Sequence, residues 1–309
     1  MSSLVYGGYH QADLDRQYSP SSCVADISTF LTAYAVQSAQ TRTEVPVRTD
    51  ILYGSLPCET VDFFSAPGPD APLLVFVHGG YWRELSKSDS SFPARGLVPA
   101  GAAFAAIDYG LAPEYRLDEI VGQVRRGIWW LVENARDLGV DSRRITLAGS
   151  SAGAHLVLMA LLDGWMPAGT HPTDVFAGAI LLSGVYDLEP VRHTYVNEPL
   201  GLDADAAARL SPIRHLPDRL PPLVIARGGA ETAEFARQHS DLVKAATSRS
   251  AAVSDLVITH RNHFDITFDL DDPDSELGAA VLRQLGLSGR TSTKTAGNSV
   301  RFDWDIGGS

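Results

Sequence analysis

Gly149-Ser150-Ser151-Ala152-Gly153 lies between the apolar run Ile145, Thr146, Leu147, Ala148 and a second run from Ala154 to Leu162. The first run reads as a strand and the second as a helix, so five residues must turn one into the other. Glycines two places either side of Ser151 leave room for a tight, strained turn. The serine is then thrust outward at the carboxyl edge of a sheet and the amino end of a helix, where negative charge is favoured. Isolated Ser and Gly clusters are ordinary loops; here the flanking strand and helix make the turn a nucleophile's.

A nucleophilic serine needs partners. Upstream, His78-Gly79-Gly80-Tyr81-Trp82 follows the apolar run Leu73 to Val77, which reads as a central strand. Paired glycines let the backbone turn and present amide N–H groups. Gly79, Gly80 and Ala152, the residue after the nucleophile, are the expected oxyanion donors. The base is expected at His263, in Arg261-Asn262-His263-Phe264-Asp265 after the strand-like Asp255 to Thr259. His260 is the fallback, whereas His78 and His155 suit structural roles. The acid should follow a late strand. Leu223 to Ala226 reads as that strand, and Glu231 comes after its Gly228-Gly229 turn. Asp187 is the competitor, while Glu234 reads as a first-turn helix acid. Tyr81, Trp82 and Phe264 flank these elements and are expected to contact an aromatic leaving group.

These residues together resemble the serine-type arylformamidases, also called kynurenine formamidases, of the α/β-hydrolase superfamily. The likeness begins at Leu14-Asp15-Arg16-Gln17-Tyr18-Ser19-Pro20 and passes through the histidine-glycine loop and the serine turn. It continues through Ser183-Gly184-Val185-Tyr186-Asp187-Leu188, Ser211-Pro212, the Glu231 to Gln238 segment and Asn262-His263-Phe264. It runs to about Leu287. One position departs, since the resembled enzymes carry aspartate where this chain has Glu231. The resemblance implies a Ser151–His263–Glu231 triad that removes a small acyl group, formyl foremost, from an aromatic amine without a cofactor. The alternatives are a carboxylesterase acting on short acyl esters and a catalytically silent hydrolase-fold binding protein. The silent form would ordinarily lack the serine, the histidine or the loop glycines.

The rest of the chain fits an α/β fold. With 309 residues, 45% of them hydrophobic, it can bury a sizeable core. Val61 to Phe64, Ala102 to Ile107 and Ala177 to Leu182 complete the strand candidates, alternating with helical stretches. That alternation predicts a mostly parallel sheet with helices on both faces. Ala154 to Leu162 should be a buried helix and Leu117 to Leu138 a half-exposed one. Residues 188–221 are expected to form a small cap, with Thr194, Tyr195 and Asn197 at the entrance. The hydrolase domain is expected over residues 1–287, followed by a flexible tail over 288–309.

Composition removes other classes. A net charge of −12 argues against nucleic acid, whose phosphates call for basic patches. No stretch approaches the ~20 apolar residues of a membrane span, and Met1 to Asp15 lacks a leader pattern. Cys23 and Cys58 show no framework spacing, so a reducing cytoplasm is expected. The acids Asp269 to Glu276 fail the calcium-loop pattern. Asp272 is expected to cap a helix that starts at Pro273 and ends at Gly286. His260 and His263 lack the further ligands of a metal site. The expected partner is a small aromatic amide or ester, with a homodimer left open.

Overall fold

A computed structural model of the chain describes residues 3–287, so the expected tail over 288–309 lies outside the described residues. Eight strands form one sheet: β1 (Val47–Leu52), β2 (Thr60–Phe64), β3 (Ala71–Val77), β4 (Ala103–Ile107), β5 (Val140–Ser150), β6 (Phe176–Leu182), β7 (Leu223–Ala230) and β8 (Val253–Asn262). Their order is β1-β2-β4-β3-β5-β6-β7-β8. β2 is antiparallel to both of its neighbours, and every pairing from β4 across to β8 is parallel. The expected fold class is thus present.

Strands β3 and β4 are buried along their whole length, as parallel strands covered on both faces must be. One face packs against helices Leu117–Glu133, Ala152–Ala160 and Ala233–Ser248, the other against Ala94–Ala100 and Glu276–Gln284. Every residue of Ala152–Ala160 is buried. It therefore has no polar face to show, which explains its unbroken apolar composition.

Several boundaries differ from the sequence expectation. β1 was not anticipated, because Val47–Leu52 is an edge strand with four exposed positions and charges at Arg48 and Asp50. A left-handed Asp50 (φ 55°) interrupts its register, and the Asp50 N–H is taken by buried Asp62 at 3.0 Å. The helix from Leu117 stops at Glu133, where the Asn134 amide bonds back to the Trp130 carbonyl at 2.8 Å. The last helix starts at Glu276. Its cap is Ser275, whose hydroxyl accepts from Gly278 N–H at 2.9 Å, while Asp272 accepts from Asp274 N–H in a preceding turn. Gly286 (φ 68°) lies just beyond the end of that helix, as expected.

His155 sits inside the wholly buried helix with its Nε2 2.7 Å from the Leu210 carbonyl. Burial pushes its imidazole down from 6.5 to about 4, so the folded protein keeps it neutral. The unfolded chain protonates first as pH falls, so stability should be intact above about 6.5 and decline towards about 4. Thermal melts of wild type and His155→Gln across that range should converge at low pH, with the wild type losing ~3 kcal/mol more. Parallel curves would show that the imidazole is not held neutral.

Candidate active site

The strand-to-helix turn is as tight as the glycines require. Ser151 lies at φ 55°, ψ −117°, a strained conformation for a residue with a side chain. A Cβ on Gly149 would come within 2.4 Å of the Gly153 carbonyl group, and one on Gly153 within 2.0 Å of the Val77 oxygen. Neither position has space for alanine. The Ser151 N–H donates to the Leu182 carbonyl at 2.7 Å, tying the turn to the end of β6.

His263 follows β8 and is buried, with its Nδ1 3.1 Å from Glu231 Oε2. The other oxygen, Oε1, accepts from Ser183 Oγ at 2.6 Å and from Gly228 N–H at 2.7 Å. Burial alone would raise the Glu231 carboxyl. The facing His263 and these donors more than offset it, holding the group below the usual carboxylate range. Asp187 points elsewhere, to Arg214 at 2.8 Å. Glu234 lies in the first turn of Ala233–Ser248 and binds Tyr18 and Arg237. His260 is exposed on β8 and reaches no acid of this group.

The loop after β3 is oriented by a residue that sequence reasoning missed. Tyr109 is fully buried; its hydroxyl donates to the His78 carbonyl at 2.8 Å and lies 3.3 Å from that of Gly79. The His78 ring stacks on Tyr109 at 4.1 Å, and its Nδ1 is 2.9 Å from the Gly79 carbonyl. In a trans peptide the N–H points away from the preceding carbonyl. With both carbonyls gathered at Tyr109, the Gly79 and Gly80 N–H groups are turned away from it; both glycines line the cavity. Ala152 is the first residue of its helix, so its N–H has no intrahelical acceptor. Gly80 (φ 94°) must be glycine, since a Cβ would meet the Glu84 oxygen at 2.1 Å.

Ser151 and His263 open into one cavity of about 170 Å³, walled by Tyr81, Phe264, Tyr34, Leu31 and Tyr195 among others. Tyr81 and Phe264, two of the three aromatics expected at the leaving group, both line this cavity. Trp82 does not: it is fully buried and packs edge-on against His155 at 5.0 Å. Tyr81 (φ 48°) and Trp82 (φ 58°) are consecutive left-handed residues; their rings stay neighbours at 6.1 Å, tilted by 58°, with Tyr81 lining the cavity and Trp82 buried behind it.

The cap also differs from expectation. Of Thr194, Tyr195 and Asn197 only Tyr195 reaches the cavity, whereas Asn197 is spent on the Arg192 and Leu202 backbone. Pro20, Ser21, Ile27, Leu31 and Tyr34, from the amino-terminal segment and the helix Ile27–Glu44, supply the wall instead. The signal was present in Leu14 to Pro20 as a motif, but no strand or helix periodicity says that an amino-terminal segment covers a distant site.

Comparison with known proteins places this arrangement. A family model described as BD-FAE matches residues 63–167. The kynurenine formamidase of Danio rerio is 34% identical over 289 residues, covering 89% of this chain and 97% of that protein. The chain belongs to the kynurenine formamidase family. Esterase LipQ of Mycobacterium tuberculosis is 33% identical over 184 residues, 53% of this chain and 42% of that one. A solved structure from Silicibacter sp. TM1040, named there only provisionally as a thioesterase, superposes with TM-score 0.77 at 30% identity. It covers 87% of this chain and 98% of its own. The family member described here is an α/β-hydrolase enzyme. Among its described residues no helix is long and apolar enough to cross a membrane.

Two measurements test the geometry. Glu231→Gln should lower kcat by ~10⁴ without unfolding the protein, and Asp187→Asn far less; the reverse order would move the acid to Asp187. Tyr109→Phe removes the hydroxyl that holds the His78 and Gly79 carbonyls but none of the expected oxyanion donors. Its kcat loss should stay near ~10-fold, below the 10²–10³ of a lost oxyanion donor, with KM little changed.

Proposed function

We propose that this chain cleaves a small acyl group, formyl foremost, from an aromatic amine through an acyl-enzyme on Ser151. The observation that carries the reading is the Glu231–His263 pair opening, together with strained Ser151, into an aromatic-walled cavity. Membership of the kynurenine formamidase family supplies the acyl group.

In this reading His263 takes the Ser151 proton as Oγ attacks the carbonyl carbon, and Glu231 holds the imidazolium that forms. The N–H groups of Gly79, Gly80 and Ala152 receive the oxyanion. His263 then protonates the departing aniline nitrogen, which leaves poorly as an anion. Water deprotonated by the same histidine releases formate. No step calls for a cofactor. Tyr81 and Phe264 flank the leaving group, and Tyr195 closes the outer wall. A cytoplasmic setting belongs to the same reading, supported by two unpaired thiols, Cys23 and Cys58. A catalytically silent protein would gain nothing from the strain at Ser151.

Ester cleavage is the second reading, favoured by the likeness to an esterase. A triad does not separate ester from amide, so the acyl pocket must. A formyl carbon carries only hydrogen, and each methylene forced into a fitted pocket costs ~1–3 kcal/mol, or roughly 5- to 150-fold. On one aromatic amine, kcat/KM should therefore fall at least ~5-fold from formyl to acetyl and further to butyryl. Ser151→Ala should abolish all three activities. Butyryl esters cleaved far faster than any formamide would replace the amidase reading with the esterase one.

A further inference from the structure

Ser183 stands immediately after β6, 2% exposed, with a left-handed φ of 49°. Its N–H donates to the Ala226 carbonyl at 2.8 Å, so the backbone is fixed to the neighbouring β7. A side chain at such a φ is strained where glycine would not be, and the next residue is in fact Gly184. What the serine provides in return is visible at its hydroxyl, which donates to Glu231 Oε1 at 2.6 Å.

The acid needs such a bond. Glutamate has one more rotatable bond than aspartate, so its carboxylate is harder to hold in a single orientation. Two donors, Ser183 Oγ–H and Gly228 N–H, converge on Oε1 and leave Oε2 as the oxygen facing His263 Nδ1. The Gly228 donor lies on β7, three residues before the acid, which directly follows that strand. Ser183 follows the neighbouring β6, so its hydroxyl ties the carboxylate to a second strand of the sheet.

We propose that Ser183 is a positioning residue for the acid: its hydroxyl fixes which oxygen of Glu231 meets His263. That bond is why a serine occupies a glycine's backbone position. The inference rests on Glu231 being the acid of the proposed mechanism.

Ser183→Gly and Ser183→Ala separate the hydroxyl from the backbone. Both remove the donor, but glycine also relieves the left-handed strain and so secures a folded variant. Each should lower kcat on a formanilide and on a short ester by ~10- to 100-fold, the worth of a hydrogen bond to a charged group, with KM little changed. The acidic limb of kcat/KM should move to higher pH, because a carboxylate that has lost a donor binds the pair's proton more tightly. In a Glu231→Gln background the same substitutions should cost less than ~2-fold, since the bond they remove no longer orients a carboxylate. Wild-type kinetics in Ser183→Gly, or a full loss persisting in the Glu231→Gln background, would overturn the inference while leaving the triad intact. Wild-type turnover in Glu231→Gln alone would overturn the acid assignment, and the role of Ser183 with it.

Discussion

The site depends on one strained residue held in place from three sides. Ser151 at φ 55°, ψ −117° would relax if its neighbours allowed it. They do not: Gly149 abuts Gly153, Gly153 abuts the end of β3 at Val77, and a Cβ on Gly79 would come within 2.9 Å of the Ser150 oxygen. β3 and β5 are adjacent and parallel, with Val77 opposite Gly149. The Gly79–Gly80 loop and Ser151, the proposed oxyanion loop and nucleophile, therefore meet because of sheet order, although about 70 residues of chain separate them. The hydrogen-bond ladder runs on past the strands, from Ser151 N–H to Leu182 and from Ser183 N–H to Ala226. It sets Ser151, Ser183 and Glu231, the nucleophile, positioning serine and acid of the proposed mechanism, along one edge.

The amino-terminal segment is attached to this frame by a buried polar cluster. Tyr18 donates to Glu234 at 2.9 Å and accepts from Gln238 at 3.1 Å, while Gln238 Oε1 also receives the Tyr186 and Asp187 N–H groups. Arg237 completes the cluster by pairing with Glu234 at 2.8 Å. A buried group of this kind is stabilising only when all its members are satisfied. That requirement links Tyr18 to the Glu234–Gln238 segment despite their distance in sequence. The Tyr18 carbonyl in turn accepts the Tyr81 hydroxyl at 2.7 Å. The strap thus shapes the cavity without lending it a reactive group.

Fold and chemistry were unequally legible in the sequence. Central strands announce themselves because burial on both faces demands unbroken apolar runs, and the serine turn because it excludes side chains at Gly149 and Gly153. Glu231 and His263 were expected from chain order and the strands they follow, with Asp187 and His260 as competitors, and the structure brings Glu231 and His263 to 3.1 Å. Edge strand β1 was not expected, since exposure frees its composition. Tyr109 left no pattern, and Ser183 appeared only as the start of a motif with no partner implied. Each bonds through a single hydroxyl to a group far away in the chain, and only the folded sheet brings those partners together.

Trp82 shows how a reasonable inference from chain position fails physically. Next to Tyr81, it shares the oxyanion loop, yet two successive left-handed residues turn its indole inward against His155. His155 lies one helical turn beyond Ser151, so the Trp82 ring bridges the oxyanion loop and the nucleophile helix. Its carbonyl also accepts from Ala112 N–H at 2.8 Å, anchoring the loop on the segment that follows Tyr109. In the proposed mechanism the separation between oxyanion donors and nucleophile rests in part on this packing, and a shift of about 1 Å there can cost ~10² in rate. A smaller residue would leave a void between the loop and the helix while touching neither substrate nor serine. On that reading the large side chain of the loop serves the chemistry by being core.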